Sequence, residues 1–285
     1  MKLLIFGKTK MTNQLINLTP DLQTQLVNIA DAAGKVIMGV YQEMLSGGAN
    51  DVLLAHKSDD SPLTRADLLA HQCISGQLKA LTPQVAVVSE EDAQSLVYRQ
   101  PTGDFWLIDP LDGTKEFLAQ NGEFTVNIAL VRDGQAIFGV VVAPALGLRY
   151  WGGPGLGAYR QMNGNTEAIQ VSTPVSAQGT VRVVASKSHM NADTVDFIQK
   201  LGQCELIQAG SSLKFCRIAE GAADVYPRLG PTCEWDTAAA QAVVEGAGGH
   251  VSKLDGTPLR YGKPDVLNPY FVAASTSLAA MLERP

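Results

Sequence analysis

The chain opens, from Thr19, on a helical pattern. Thr19-Pro20-Asp21 supplies an N-cap, a proline at the first helical position and a first-turn acid, and Leu22, Leu26, Ile29, Ala33, Ile37, Val40 and Met44 then recur at three- or four-residue steps. Ser46-Gly47-Gly48 ends this element. A second helical pattern is expected after Ser61-Pro62, carrying Leu68, Leu69, Ile74 and Leu78 as far as Thr82-Pro83. The texture then changes to short apolar runs at 85–88, 105–108, 124–131, 136–142 and 148–151, which read as strands. Asp133-Gly134 and the Gly152–Gly157 cluster separate them as turns, and that cluster fits neither a dinucleotide-binding nor a P-loop signature. The second half alternates: strand 181–185, helix 192–201, strand 205–208, helix 212–221, strand 223–226, helix 236–246. This order predicts an α+β half followed by an α/β half, and the polar stretch Gln161 to Thr166 suggests a boundary near residue 160, giving units 11–160 and 161–285.

Composition narrows the functions open to such a chain. It has 285 residues, 46% of them hydrophobic and 18% charged, enough to bury a sizeable core. With 28 acids against 22 bases, a formal charge of −6, it lacks the basic surface that grips nucleic-acid backbone, so no nucleic-acid partner is expected. Cys73, Cys204, Cys216 and Cys233 show no metal spacing and imply no disulfide scaffold, which makes the cytoplasm the default location. Residues 1–10 are too short in apolar run for a signal peptide and are read as an extension ahead of Met11; no transmembrane segment is expected. The histidines lack metal spacing, and no nucleophile elbow points to a serine hydrolase.

The acids carry the candidate chemistry. In Trp106-Leu107-Ile108-Asp109-Pro110-Leu111-Asp112-Gly113-Thr114 an apolar strand delivers Asp109 at its end, Pro110 is expected to stop it, and Asp112 follows across a tight turn. Two carboxylates so placed suit a hard divalent cation, although an ordinary Asp-Pro/Asp-Gly turn explains them as well. Ser89-Glu90-Glu91-Asp92 sits at another strand exit, and its plain reading is a solvated loop. In Cys233-Glu234-Trp235-Asp236, Asp236 reads as the cap or first-turn acid of an alanine-rich helix. The stretch from Lys57 to Asp67 reads as a loop into a helix with Thr64 and Asp67 in capping register. Gly210-Ser211-Ser212 is a turn whose helix N–H groups suit an anion, or a plain N-cap.

Taken in order, KSDDSPLTRAD, SEED, WLIDPLDGTKEF and CEWDTAAAQAVVEGAGG resemble the lithium-sensitive, magnesium-dependent phosphatases of the inositol monophosphatase superfamily. Lys115-Glu116-Phe117 favours its 3′(2′),5′-bisphosphate nucleotidase branch. The resemblance implies a layered α-β-α-β-α sandwich and two Mg²⁺ ions, one held by Glu90, Asp109 and the Leu111 carbonyl, the other by Asp109, Asp112 and Asp236. A third, weaker ion is expected near Glu90 and Asp59. It also implies in-line hydrolysis by an activated water, oriented by Glu90 and Thr114 with Asp59 as proton acceptor, and no covalent enzyme intermediate. The Gly113 and Thr114 amides would bind the phosphate, and Asp236 would contact the ribose. Ser186, Lys187, Gly210, Ser211, Ser212, Lys214 and Arg228 match nucleotide-contacting segments, with a lysine at 187 where related chains carry an arginine. The implied activity removes the 3′-phosphate of adenosine 3′,5′-bisphosphate, and acts on 3′-phosphoadenylyl sulfate, a step tied to sulfate assimilation. An inositol- or sugar-phosphate monophosphatase and a catalytically silent nucleotide-binding protein are the alternatives. Peripheral attachment to the inner membrane, associated with the family, finds no basic amphipathic helix here to carry it.

Overall fold

The computed structural model describes residues 15–47, 52–57, 62–173, 179–185, 190–276 and 280. The first helix, α1 (Pro20–Leu45), begins where the capping signals place it: the Thr19 hydroxyl accepts the Leu22 N–H, and Ser46 closes the far end. A short hairpin, β1 (Leu53–His56) and β2 (Pro62–Thr64), leads into α2 (Arg65–Leu81). Helix α2 thus starts three residues later than the proline suggested, because Pro62 to Thr64 pair as a strand and the Thr64/Asp67 capping box fixes the helix start.

Seven strands follow in sheet order: β3 (Ala86–Ser89), β4 (Asp104–Asp112), β5 (Thr125–Arg132), β6 (Gln135–Ala143), β7 (Leu148–Gly153), β8 (Gly157–Met162) and β9 (Asn165–Ile169). Only β3 and β4 are parallel; a 3-10 turn, Ala93–Tyr98, connects them. The five-residue helix α3 (Thr114–Leu118) links β4 to β5. A second, five-stranded sheet has the order β11-β10-β12-β14-β13, formed from β10 (Val181–Ala185), β11 (Cys204–Gln208), β12 (Val225–Arg228), β13 (His250–Lys253) and β14 (Phe271–Ala274). Its helices are α4 (Ala192–Lys200), α5 (Leu213–Ala219) and α6 (Ala238–Gly246).

Side-chain alternation along the strands explains the layering. Trp106 and Ile108 of β4, with Val126, Ile128 and Leu130 of β5, share a core with Leu26, Ile37, Ile74 and Leu78 of α1 and α2. Each fully buried leucine or isoleucine there stabilises the fold by about 1.5–3 kcal/mol relative to exposure. Phe105, Leu107, Ala129 and Val131 point the other way, into a core shared with α5, α6 and the inner face of the second sheet, including Tyr226, Phe271 and Ala273. The outer face of that sheet, Val183, Val225 and Val272, is covered by Phe197 of α4. The result is the α-β-α-β-α order, with α5 and α6 between the sheets. The alanine-rich α6 approaches β6 so closely that a Cβ on Gly139 would fall 1.9 Å from the Ala239 carbonyl oxygen.

Three expectations are corrected. Strand β4 runs through Pro110 to Asp112, because a register shift between Asp109 and Asp112 inserts an extra residue where the proline has no N–H to pair. Helix α6 starts at Ala238, with Trp235 to Thr237 forming a turn, so Asp236 is neither its cap nor a first-turn acid. The stretch 161–166 is the exposed hairpin joining β8 to β9, and the first sheet continues past it to Ile169. Its polar residues resemble a linker because β9 is the open edge of the sheet and the hairpin that joins it to β8 is exposed. Among the described residues no helix is long and apolar enough to cross a membrane, and no disulfide joins the four cysteines.

Candidate active site

The alternation that builds the inner core also aims the acids. Asp109 continues the Phe105 and Leu107 side of β4, so it points toward the α5/α6 layer and is 1% exposed. Its carboxylate receives the Leu111 N–H at 3.1 Å. Beyond the bulge, Asp112 ends the strand and Gly113 turns the chain into α3 at φ +88°. A Cβ at Gly113 would meet Glu116, Glu123 and Ser211 at 3.3 Å, so glycine satisfies both the dihedral and the space.

The exit of β3 brings in Glu90, whose N–H donates to the Ile108 carbonyl. The SEED segment is no solvated loop: Lys57 Nζ donates to Glu90 at 2.5 Å and to Glu91 at 2.7 Å, and the Glu91 side chain is 4% exposed. Asp236 comes from the other sheet's layer and accepts the Cys233 N–H at 2.9 Å. Carboxylate oxygens of Glu90, Asp109 and Asp236 all lie within 4.8 Å of one another. Burial, then the charges of Glu90, Asp112 and Asp236, raise the Asp109 carboxyl well above its ordinary range. Burial, then Asp112 and Glu90, do the same to Asp236. Burial lifts Glu90 to about 7, with Lys57 pulling against it. Three hard oxygen donors that repel one another in a buried space fit a divalent cation, which neutralises what the protein alone leaves unbalanced.

Asp112 is held separately. Ser211 Oγ donates to its Oδ2 at 2.6 Å and Ser212 Oγ at 3.0 Å, while Ser212 Oγ also lies 3.0 Å from the Asp236 carbonyl. Ser211 adopts φ +50°, strained for a residue with a side chain. Behind the serines, on the inner side of β5, Thr125 pairs with Ser211 at 2.7 Å and Asn127 donates to Ser212 at 2.9 Å. The Ser212 hydroxyl therefore makes no cap for α5.

One residue read only as a helix cap joins the site. Asp67, fully buried, uses Oδ2 to accept the Thr64 N–H and presents Oδ1 to the Thr114 hydroxyl at 3.5 Å. The same hydroxyl lies 3.4 Å from the Leu111 carbonyl. Burial raises the Asp67 carboxyl to about 6, with the Thr64 hydroxyl opposing. The capping motif explains Asp67 locally and so hides it; the available signal was a cap acid opening a helix that runs straight into an apolar strand.

Beside the acids lies a cavity of about 110 Å³, whose lining includes Asp112, Gly113, Ser211 and Asp236 together with Lys214, Tyr226 and Arg228. Arg228 shares the inward parity of Tyr226 on β12, and its Nη2 donates to the Pro231 carbonyl. Lys214 is 8% exposed, with Nζ 5.7 Å from the centre of the Tyr226 ring. Gly210 lies against Glu116 and Glu123 and is not among the cavity-lining residues. Asp59, Ser186 and Lys187 lie outside the described residues.

An acid cluster fed by both sheets of an α-β-α-β-α sandwich defines the class. The chain belongs to the inositol monophosphatase family, whose model matches residues 20–283. Within that family it is 45% identical, over 87% of its length and 97% of the relative's, to the 3′(2′),5′-bisphosphate nucleotidase CysQ of Salmonella typhimurium. The protein of the same name from Escherichia coli matches to the same extent, 45% over 87% of this chain and 97% of that one. The crystal structure of CysQ from Bacteroides thetaiotaomicron superposes with a TM-score of 0.76 at 37% identity, covering 90% of this chain and 98% of that chain. SuhB of Mycobacterium tuberculosis, at 21% identity and a TM-score of 0.69 over 93% of this chain and 96% of its own, shares the fold.

Proposed function

We propose that the protein is a Mg²⁺-dependent phosphatase that removes the 3′-phosphate of adenosine 3′,5′-bisphosphate, giving AMP and phosphate, and that also converts 3′-phosphoadenylyl sulfate to adenylyl sulfate. The observation that carries this reading is the pairing of the Glu90, Asp109 and Asp236 carboxylates with a cavity lined by Asp236 and also by Lys214 and Arg228. The acids accommodate a cation and the two basic side chains a second anionic group, which suits a substrate with two phosphates. The two-sided match to nucleotidases named CysQ supports the same substrate class.

Glu90, Asp109, the Leu111 carbonyl, Asp112 and Asp236 would hold two Mg²⁺ ions, with a third held more weakly near Glu90. Bound there, Mg²⁺ supplies charge neutralisation at the phosphoryl oxygens and a water more acidic than bulk. The chain's own groups do the rest. Thr114 orients the attacking water, and Asp67, in contact with its hydroxyl and largely ionised at neutral pH, takes the proton in the role the sequence assigned to Asp59. Glu90 also faces that water. The Gly113 and Thr114 amides bind the transferred phosphate, Asp236 the ribose, and Lys214 and Arg228 the 5′-phosphate, with Ser186, Lys187, Gly210, Ser211 and Ser212 completing the nucleotide contacts. In this reading the half that ends with the first sheet, at Ile169, carries most of the metal ligands and the remainder carries Asp236 and the nucleotide, in the cytoplasm. The test compares kcat/KM for adenosine 3′,5′-bisphosphate and inositol 1-phosphate with Mg²⁺. A preference for the inositol ester overturns the substrate assignment, and absence of phosphate release from both overturns the activity.

A further inference from the structure

The Glu90 and Asp236 carboxylates come from segments far apart in sequence, and without a cation they repel each other. Something other than the metal must therefore hold their two loops together. Glu234, two residues before Asp236, is fully buried, and the partners of its carboxylate are Arg99, Gly262 and Lys263, none of them in the acid cluster. Its carboxylate receives the Gly262 N–H at 2.9 Å, the Lys263 N–H at 3.1 Å, Lys263 Nζ at 2.5 Å and Arg99 Nη1 at 3.0 Å. Arg99, 9% exposed, also donates to the Lys263 carbonyl at 2.6 Å. Lys263 Nζ reaches Asn268 at 3.2 Å, and Asn268 donates to the Cys233 carbonyl at 2.7 Å.

Arg99 closes the 3-10 turn that follows the Glu90 loop. That turn is tied back to the strand exit by Ser95, whose hydroxyl accepts the Ser89 N–H at 3.0 Å and donates to the Asp92 carbonyl at 2.5 Å. Hydrogen bonds, the backbone of the 3-10 turn and the Arg99–Glu234 ion pair thus connect the residue before Glu90, through Ser95 and Arg99, to Glu234 and on to the turn bearing Asp236. We propose that Glu234, clamped by Arg99 and Lys263, is a positioning residue that sets the spacing of the Glu90 and Asp236 carboxylates for cation binding. The proposal rests on the metal-dependent reading above. A buried ion pair contributes more to register than to stability when a hydrophobic replacement would serve the core equally well, and groups behind metal ligands set affinity by fixing ligand geometry.

The test is calorimetric titration of the full chain with Mg²⁺ alone, in the absence of substrate. Glu234→Gln keeps the shape and the backbone donors but removes the charge, and Arg99→Lys keeps the charge but loses the fork. Each is expected to weaken Mg²⁺ binding by about tenfold while retaining the native circular dichroism spectrum. Asp224→Asn, which breaks the buried Arg182–Asp224 pair of the second sheet, is the control and is expected to lower the melting temperature without moving the Mg²⁺ constant. Should Glu234→Gln not fold, Arg99→Lys decides. Folded variants that bind Mg²⁺ as the wild type does, or a control that shifts binding equally, overturn the clamp and leave the metal site standing. A wild-type chain that binds no Mg²⁺ overturns both.

Discussion

Replacing Lys214 by methionine tests the substrate assignment at its most specific point. Lys214 is 8% exposed and lines the cavity together with Asp112 and Asp236, with Arg228 as its cationic neighbour. Burial lowers its pKa, Asp112 opposes that shift and Arg228 adds to it. A substrate phosphate placed between the two cations restores the favourable charge balance. Methionine keeps the unbranched length and the packing against Tyr226, so the perturbation is mainly one of charge. A hydrogen bond to a charged group contributes about 1.5–3 kcal/mol. At about 1.4 kcal/mol per decade, that becomes a roughly 10- to 140-fold loss of kcat/KM toward adenosine 3′,5′-bisphosphate. Adenosine 3′-monophosphate, which lacks the second phosphate, should change by less than about threefold, or ~0.7 kcal/mol. The assay is steady-state phosphate release from both nucleotides at saturating Mg²⁺. Equal losses on the two substrates would place Lys214 in the metal and phosphoryl machinery and refute its role as the second-phosphate contact.

Asp112→Asn removes a charge that Ser211 and Ser212 are arranged to hold, and Mg²⁺-dependent phosphate release should fall by about 100-fold or more, several kcal/mol of metal-assisted stabilisation; unchanged release would mean that Asp112 is not a metal ligand. Gly113→Ala forces a side chain into φ +88° against 3.3 Å neighbours, at a cost of about 1–2 kcal/mol, and scanning calorimetry should record a melting temperature lower by about 2–8 °C. The raised carboxyls make stability without metal depend on pH in an unusual sense. Because Glu90 is shifted from 4.5 to about 7 on folding, the folded state holds more protons than the unfolded chain between those values, so stability in EDTA falls as pH rises through that window. Asp109 and Asp236 act in the same direction, and Mg²⁺ should restore the lost stability at neutral pH; a melting temperature in EDTA that is flat or rising from pH 4.5 to 7 would contradict the electrostatics described here.

What the sequence revealed follows from what each residue does locally. Elements whose apolar face meets a core, such as α1 or β4, carry that face as visible periodicity, and so their ends were legible to within a few residues. Strands β8 and β9 were not, because Asn165–Ile169 is the sheet's open edge and Gly157–Met162 its neighbour, where partial exposure leaves almost no apolar run. Among site residues the acids stood out because their density lacks a solvation reason. Asp67 did not, since one of its oxygens satisfies a capping box and the other does the work that no local pattern encodes. Ser211 and Ser212 were visible as a turn, yet their true partner, Asp112, is distant in the chain.

The two-residue strand period resolves why an acidic chain would build a site for an anionic substrate. One parity of β4 and β5 is apolar toward α1 and α2 without interruption, while the other begins apolar at Phe105 and Val131 and turns polar at Asp109, Asn127 and Thr125 as the strands leave the core. On β12 the same inward parity carries Tyr226 and then Arg228. The site is thus the place where the inward faces of both sheets run out of hydrophobic partners together, Asp109 and Asp112 arriving from one, Arg228 from the other, and Lys214 and Asp236 from α5 and the turn before α6. Because the acids there are raised in pKa by burial and by one another, a cation that shares the space favours their charged forms. The cation in turn gives that wall the sign a phosphate needs. Metal and substrate binding are therefore coupled by geometry, and weakening the first should weaken the second even when no nucleotide contact is touched.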